Sequence, residues 1–189
     1  RTRTVAAFSE HFRDILRRAL DALAPDLAWI VIHDATRPLV TPEMIAAGLA
    51  AVHVPPAAPA PDVPSASRRP APAVPPSVGA HRVRPPAAPA VVAAASIPVN
   101  ETLKRVQNGL VVETPARSRL VLLQTPQVFS RLALLTALDT APADLDPLDA
   151  ASLAIAARLR VALFPGTPAN IRVATPADLA LAEALLNPR

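Results

Sequence analysis

Trp29-Ile30-Val31-Ile32-His33-Asp34-Ala35-Thr36-Arg37-Pro38 is the stretch on which the reading of this chain turns. A short apolar run stops at a carboxylate, and a loop with an arginine and a proline follows. The apolar run reads as a strand buried on both faces, as in the interior of a parallel sheet. Ligands of open α/β sheets gather beyond the carboxyl ends of such strands, which makes Asp34 and Arg37 candidate site residues. An Asp at a strand end also serves simply to cap a turn, so this pattern alone does not define a site. His33 reads as a core histidine with satisfied nitrogens, and Arg37 as a brace for the loop.

Alternation continues on either side. Ser9 to Leu23 places Phe12, Ile15, Leu16, Ala19, Leu20 and Leu23 on one face of an amphipathic helix, with Ser9 as N-cap and Pro25 beyond its end. Thr41-Pro42-Glu43 combines a cap, a first-turn proline and an early acid, opening a helix to about Val52. Strands are expected at Val91 to Val99, Leu120 to Gln124 and Val161 to Phe164. Helices are expected from the Ser130 cap through Leu138, from Asp149 to Leu159, and from Thr175-Pro176, where Asp178 completes a capping box. Asn108-Gly109 between two short extended runs, Val106 to Glu113, predicts a type I′ hairpin. Strand, loop and helix in this order indicate an α/β fold.

Residues 53–89 break the pattern. Twelve of the 24 prolines lie there, with Arg68, Arg69, His81, Arg82 and Arg84 against the single acid Asp62. Repeated proline blocks helix and ladder pairing, and large apolar residues are scarce. A disordered or polyproline-like insertion in a surface loop is expected.

Composition narrows the function classes. The chain has 189 residues, enough for one domain with a core, and no cysteine, which excludes disulfides, thiolate metal sites and a cysteine nucleophile. The pI of about 11.1 accompanies a formal charge of only +4. It reflects arginine as nearly the sole base, Lys104 being the single lysine, with no tyrosine or cysteine to titrate below it. Aromatics at 3% leave few platforms for stacking bases, so no nucleic-acid partner is expected. No apolar run approaches the roughly 18 residues of a membrane span, and no signal peptide is evident; the chain reads as cytoplasmic, without a membrane partner. His11, His53 and His81 lack metal-ligand spacing.

Three further segments accompany the opening motif: Pro98-Val99-Asn100-Glu101-Thr102-Leu103-Lys104-Arg105, Gln124-Thr125-Pro126-Gln127-Val128-Phe129, and Asn170-Ile171-Arg172-Val173-Ala174-Thr175-Pro176-Ala177-Asp178 running on to Glu183. In this order, behind His33-Asp34-Ala35-Thr36-Arg37-Pro38, they resemble the 2-C-methyl-D-erythritol 4-phosphate cytidylyltransferase family. The resemblance covers the chain from about Ala22 onward, apart from the proline-rich stretch. It implies a Rossmann-like, mostly parallel α/β sheet, and a chain (1–189) that is a partial cytidylyltransferase domain, truncated at its N-terminal side and interrupted by 53–89. Family members begin with a strand and a glycine-rich loop whose Arg and Lys hold the CTP phosphates; no such loop occurs here. Residues 98–125 would form the arm region that reaches a second subunit of a homodimer.

The reaction so implied joins CTP to 2-C-methyl-D-erythritol 4-phosphate with release of pyrophosphate, assisted by Mg²⁺. Two anions have to be neutralised and aligned, and no protein nucleophile is required. By the resemblance, Arg117 positions the acceptor phosphate across the dimer interface. Arg172 is the second positioning cation, at a place where the family usually has lysine. Thr102 and Thr125 contact the acceptor, and Asp34 lies by the substrates and the metal. Two other readings stay open: a ribitol-phosphate cytidylyltransferase, and a catalytically inactive fragment or dimerisation module lacking the CTP loop. Without their motifs, Arg117 and Arg172 would read as solvated charges and the threonines as ordinary strand-end residues.

Overall fold

The computed structural model describes residues 11–52, 91–145 and 147–187; the 53–89 stretch and Ser9 therefore lie outside the described residues. Four strands form the main sheet: β1 (Trp29–Ile32), β2 (Val92–Pro98), β5 (Val121–Ser130) and β6 (Val161–Pro165), in the order β1-β5-β2-β6. β1 and β2 each pair antiparallel with β5, and β2 pairs parallel with β6. Three of the four strands consequently run the same way, as expected for a mostly parallel α/β sheet, and β5 alone runs against them.

Helices cover both faces. Along β2 and β5 side chains alternate between faces with a period of two. Val92 and Phe129 meet Leu16 and Leu20 of α1 (Phe12–Asp21), Leu134 and Leu138 of α3 (Arg131–Thr140) and Leu153 of α4 (Ala150–Ala156). Ala93, Ala95, Val128 and Phe164 face Met44 of α2 (Pro42–Ala51) on the other side. β2 is sealed on both faces, with Val92 to Ala95 fully buried. Its alanines let α2 come close enough that a Cβ on Gly48 would meet Val128 Cγ2 at 2.7 Å.

Most helix starts fall where their caps place them. Thr41, Ser130 and Asp149 Oγ1, Oγ and Oδ1 accept from the backbone N–H of Met44, Ala133 and Ser152 respectively. Thr175 and Asp178 form the reciprocal capping box of α5 (Pro176–Leu186). Asn108 and Gly109, at φ +50° and +78°, make the left-handed turn between β3 (Arg105–Gln107) and β4 (Leu110–Glu113), which pair antiparallel as expected.

Four expectations need correction. β1 is not buried on both faces: Ile30 is buried but Val31 is 39% exposed, because β1 is the edge of the described sheet. The fifth strand does not stop at Gln124 but runs to Ser130, through a cis Thr125–Pro126 peptide bond. α1 begins after His11, which makes no side-chain cap bond. α4 ends at Ala156, and Arg158 follows at φ +60°.

Among the described residues no helix is long and apolar enough to cross a membrane.

Candidate active site

Since β1, β2 and β6 point the same way, the segments that follow them emerge at one end of the sheet. These are the loop from His33 to Pro38, the arm from Val99 onward, and the turn from Gly166 to Val173. β5 enters the sheet from that same end. Between the pairs Ala94–Gln127 and Ser96–Leu123 its register slips, so that Gln124, Thr125 and Pro126 stand opposite Ala95 alone. A bulge of this kind re-aims side chains. Gln124 and Thr125 turn to the neighbouring loops rather than lying flat in the ladder.

Asp34 is at the centre. Its Oδ1 accepts from the Thr36 amide at 3.0 Å and the Thr36 hydroxyl at 2.7 Å, and its Oδ2 accepts from the Arg172 guanidinium at 2.5 Å. Burial by itself raises the pKa of the Asp34 carboxyl, but the bonds from Thr36 and Arg172 outweigh it and hold the carboxyl below its ordinary value. The Asp34 side chain is 22% exposed and that of Arg172 is 61% exposed, so the pair opens to solvent on the arginine side.

Around this pair lies a closed ring of hydrogen bonds. The Thr125 hydroxyl is 3.0 Å from His33 Nδ1, and His33 Nε2 is 2.9 Å from the Arg37 carbonyl. Arg37 Nη1 donates to the Asn170 carbonyl at 2.7 Å, and Asn170 Nδ2 returns to the Thr125 carbonyl at 2.7 Å. The Thr125 hydroxyl also accepts the Asp34 N–H at 3.1 Å. A backbone bond from Val173 N–H to the Thr36 carbonyl closes the same seam. Burial and the neighbouring Arg172 push the Arg37 guanidinium down from its ordinary value while Asp34 opposes them; arginine stays charged regardless.

Gln124 supports the ring from beneath. It donates to the Thr167 carbonyl and accepts from Thr167 N–H, in the space left by Gly166, where a Cβ would collide with its Oε1. Asn170 is fully buried, and its Oδ1 has no hydrogen-bond partner among the described residues.

The structure thus joins Asp34, Thr125 and Arg172, and it bears out Arg37 as a brace and His33 as a histidine with both nitrogens partnered. It does not join Arg117 or Thr102 to them. Arg117 lies in a single 3₁₀ turn, Arg117–Arg119, and donates to the carbonyl of Asn100, two residues before Thr102. Both belong to the arm, and no described hydrogen bond or ion pair links them to Asp34 or Arg172. Gln124 and Asn170 stand inside two of the motifs, but nothing local gives them a place in the frame: their partners lie 43 to 133 residues away along the chain.

Among the described residues no three His, Asp or Glu side chains gather as a metal site. Asp34 offers one carboxylate, with Arg172 already at Oδ2. That donor set fits Mg²⁺ only in its common form, bound by one carboxylate with phosphate oxygens and water supplying the rest.

In open α/β sheets ligands bind beyond the carboxyl ends of the strands, and the Asp34–Arg172 pair stands at that place in this α/β domain. The family model described as IspD, 2-C-methyl-D-erythritol 4-phosphate cytidylyltransferase, matches residues 70–188, and the chain belongs to that family. It is 36% identical over 174 residues to the 2-C-methyl-D-erythritol 4-phosphate cytidylyltransferase of Frankia casuarinae, covering 92% of this chain and 52% of the relative. It is 33% identical to that of Dehalococcoides mccartyi, covering 92% of this chain and 60% of the relative. Among solved structures, the 2-C-methyl-D-erythritol 4-phosphate cytidylyltransferase of Thermus thermophilus superposes with a TM-score of 0.64 at 25% identity, over 92% of this chain and 68% of that one. The 4-diphosphocytidyl-2C-methyl-D-erythritol synthase of Anaerococcus prevotii shares the fold, with a TM-score of 0.71 at 19% identity, over 97% of this chain and 69% of that one. The chain spans between about half and three-fifths of the length of these curated relatives.

Proposed function

We propose that this chain carries the acceptor half of an enzyme that transfers the cytidylyl group of CTP to 2-C-methyl-D-erythritol 4-phosphate. A phosphate oxygen of the acceptor forms a bond to the α-phosphorus of CTP, the bond to the β-phosphate bridge breaks, and pyrophosphate leaves. The observation that carries this reading is the Asp34–Arg172 pair on Thr125, at the carboxyl ends of the sheet in a chain of this family.

Arg172 and Arg117 position the acceptor phosphate. A guanidinium fork can bind two phosphate oxygens, and fixed cations relieve the repulsion between the two anions. Asp34 accepts from polyol hydroxyls once Arg172 turns to the phosphate. Thr125 has its proton committed to His33 and one lone pair to Asp34, which leaves one lone pair for an acceptor hydroxyl. Thr102 completes the acceptor contacts from the arm. Mg²⁺, held by Asp34 and the substrate phosphates, would neutralise the charge of the triphosphate.

A homodimer supplies the arm's partner. β3 and β4 are exposed along their whole length, with Leu110 70% and Val111 62% exposed. Apolar side chains spread along a two-stranded ribbon call for a covering surface. Arg117 would then act in the site of the other subunit, consistent with its separation from Asp34 within one chain. The setting proposed is the cytoplasm, where CTP is made and used.

The test is pyrophosphate release by the full-length protein from CTP with 2-C-methyl-D-erythritol 4-phosphate, in competition with ribitol 5-phosphate. Preference for the methylerythritol substrate supports the reading. Preference for ribitol 5-phosphate, or no turnover of either, overturns it.

A further inference from the structure

The ring of hydrogen bonds beneath Asp34 has a direction, and one residue sets it. Among the described residues the one hydrogen-bond partner of His33 Nε2 is a carbonyl oxygen, that of Arg37, at 2.9 Å, so Nε2 must carry a proton. In the neutral imidazole Nδ1 is then an acceptor. The Thr125 hydroxyl, 3.0 Å from Nδ1, gives its only proton there, and its oxygen is left free to take the Asp34 N–H at 3.1 Å. Each donor in the path meets an acceptor, and the reverse tautomer would leave two acceptors, Nε2 and the Arg37 carbonyl, facing each other.

We propose that His33, as its Nε2–H tautomer, is a positioning residue for the acceptor site, fixing the Asp34 and Arg172 side chains to one another through Thr125 and Arg37. Three observations carry this. The His33 side chain bridges the strand β5, through Thr125, and the loop after β1, through the Arg37 carbonyl. Arg37 then reaches the Asn170 carbonyl, two residues from Arg172, and Asn170 returns to Thr125. The Asp34 amide is tied to the same hydroxyl that His33 orients. Both the acid and the cation of the site are thus carried by segments that His33 locks, though it touches neither side chain itself. The charged groups around the ring are Asp34, Arg37 and Arg172, and the lock depends on proton placement, not on a change of charge.

The inference rests on the proposed acceptor site for its kinetic consequence, but its core is readable without substrate. In the full-length protein, ¹⁵N-detected NMR of the His33 ring should show Nδ1 unprotonated and Nε2 protonated, and Thr125→Val, which removes the acceptor of the Asp34 amide, should speed hydrogen exchange at that amide. A proton on Nδ1, or fast averaging of the two tautomers, would overturn the proposal whether or not the protein turns over either substrate. Kinetically, His33→Phe should lower kcat/KM for the polyol phosphate about ten- to a hundredfold while the KM for CTP stays near its original value, as expected when a site is misplaced by a fraction of an ångström to one. His33→Asn, whose side-chain oxygen can take the place of Nδ1 as acceptor for Thr125, should recover much of that loss. Equal defects in His33→Phe and His33→Asn at matched melting temperature, or no defect in either, would sink it. Should His33→Phe fail to fold, the ring signature and the His33→Asn kinetics decide between these outcomes.

Discussion

The Arg172 guanidinium lies 2.5 Å from the Asp34 carboxylate although 138 positions separate the two residues along the chain. The pair is open to solvent on the Arg172 side, and exposed ion pairs contribute only about 0.2–1 kcal/mol to stability. Its value is in holding a cation and an acid ready beside each other. In the full-length protein, Arg172→Ala should shift the melting temperature by no more than about 2–4 °C yet reduce kcat/KM for the acceptor about tenfold to a hundredfold, the range of a charge-assisted hydrogen bond. Arg172→Lys, which keeps the charge and loses the fork, should fall between the two. Thermal melts and steady-state kinetics on both variants check this.

Asp34 should titrate below the ordinary carboxylate range. Its folded pKa is depressed, so its contribution to stability is present above the unfolded pKa and is lost as pH falls through the folded value. Protonation removes the charge that the Thr36 hydroxyl and Arg172 engage. Thr36→Ala deletes one of those partners and should move the Asp34 midpoint upward, as read by ¹³C NMR of the carboxyl carbon; an unchanged or lower midpoint would show that Thr36 does not hold the carboxylate.

Gly48→Ala tests the packing of α2 on the sheet. The added Cβ would approach Val128 Cγ2 at 2.7 Å and Phe164 Cζ at 3.0 Å. Alanine improves helix propensity by about 1 kcal/mol, but overpacking a sealed interface costs about 1–3 kcal/mol. The variant should therefore be less stable or, where the two terms nearly cancel, no more stable than the parent in denaturant unfolding.

If the arm crosses to a second subunit, Arg117→Ala and Arg172→Ala damage sites through different chains. Mixed dimers of the two should contain one site with both defects and one intact site, and should regain activity that neither variant has alone. Mixed dimers without recovered activity would return Arg117 to its own subunit.

At the acidic end of the range, α5 should fray at its N-terminus. The Asp178 carboxyl is held below its ordinary value by the Ala174 amide and by the hydroxyl and amide of Thr175. The sign is the same as for Asp34: the cap's contribution is present above the unfolded pKa and disappears as pH falls through the lower folded one. Amide exchange at Ala174 and Thr175 should accelerate there before the core opens.

Local chemistry was legible in the amino-acid sequence. Caps at Thr41, Ser130 and Thr175, the Asn108-Gly109 turn and the order of strands and helices each depend on residues within a few positions, whose backbone and side chains meet by covalent proximity. The motifs around Asp34, Thr125 and Arg172 were legible for the same reason, as short strings. Tertiary structure alone decided which of them meet. β5 runs on past Gln124 because its neighbours β1 and β2 satisfy its backbone groups, which no proline rule foresees. Val31 is exposed because the described sheet ends at β1, although the string Trp29 to Ile32 is uniformly apolar. The ring through His33, Arg37, Asn170 and Thr125 forms because parallel strands β1 and β6 deliver two distant loops to one end of the sheet and a slipped register turns Thr125 toward them. Hydrogen bonds are short-ranged and directional, so their partners are set by where the strands end in space, and the chain records that only through the fold.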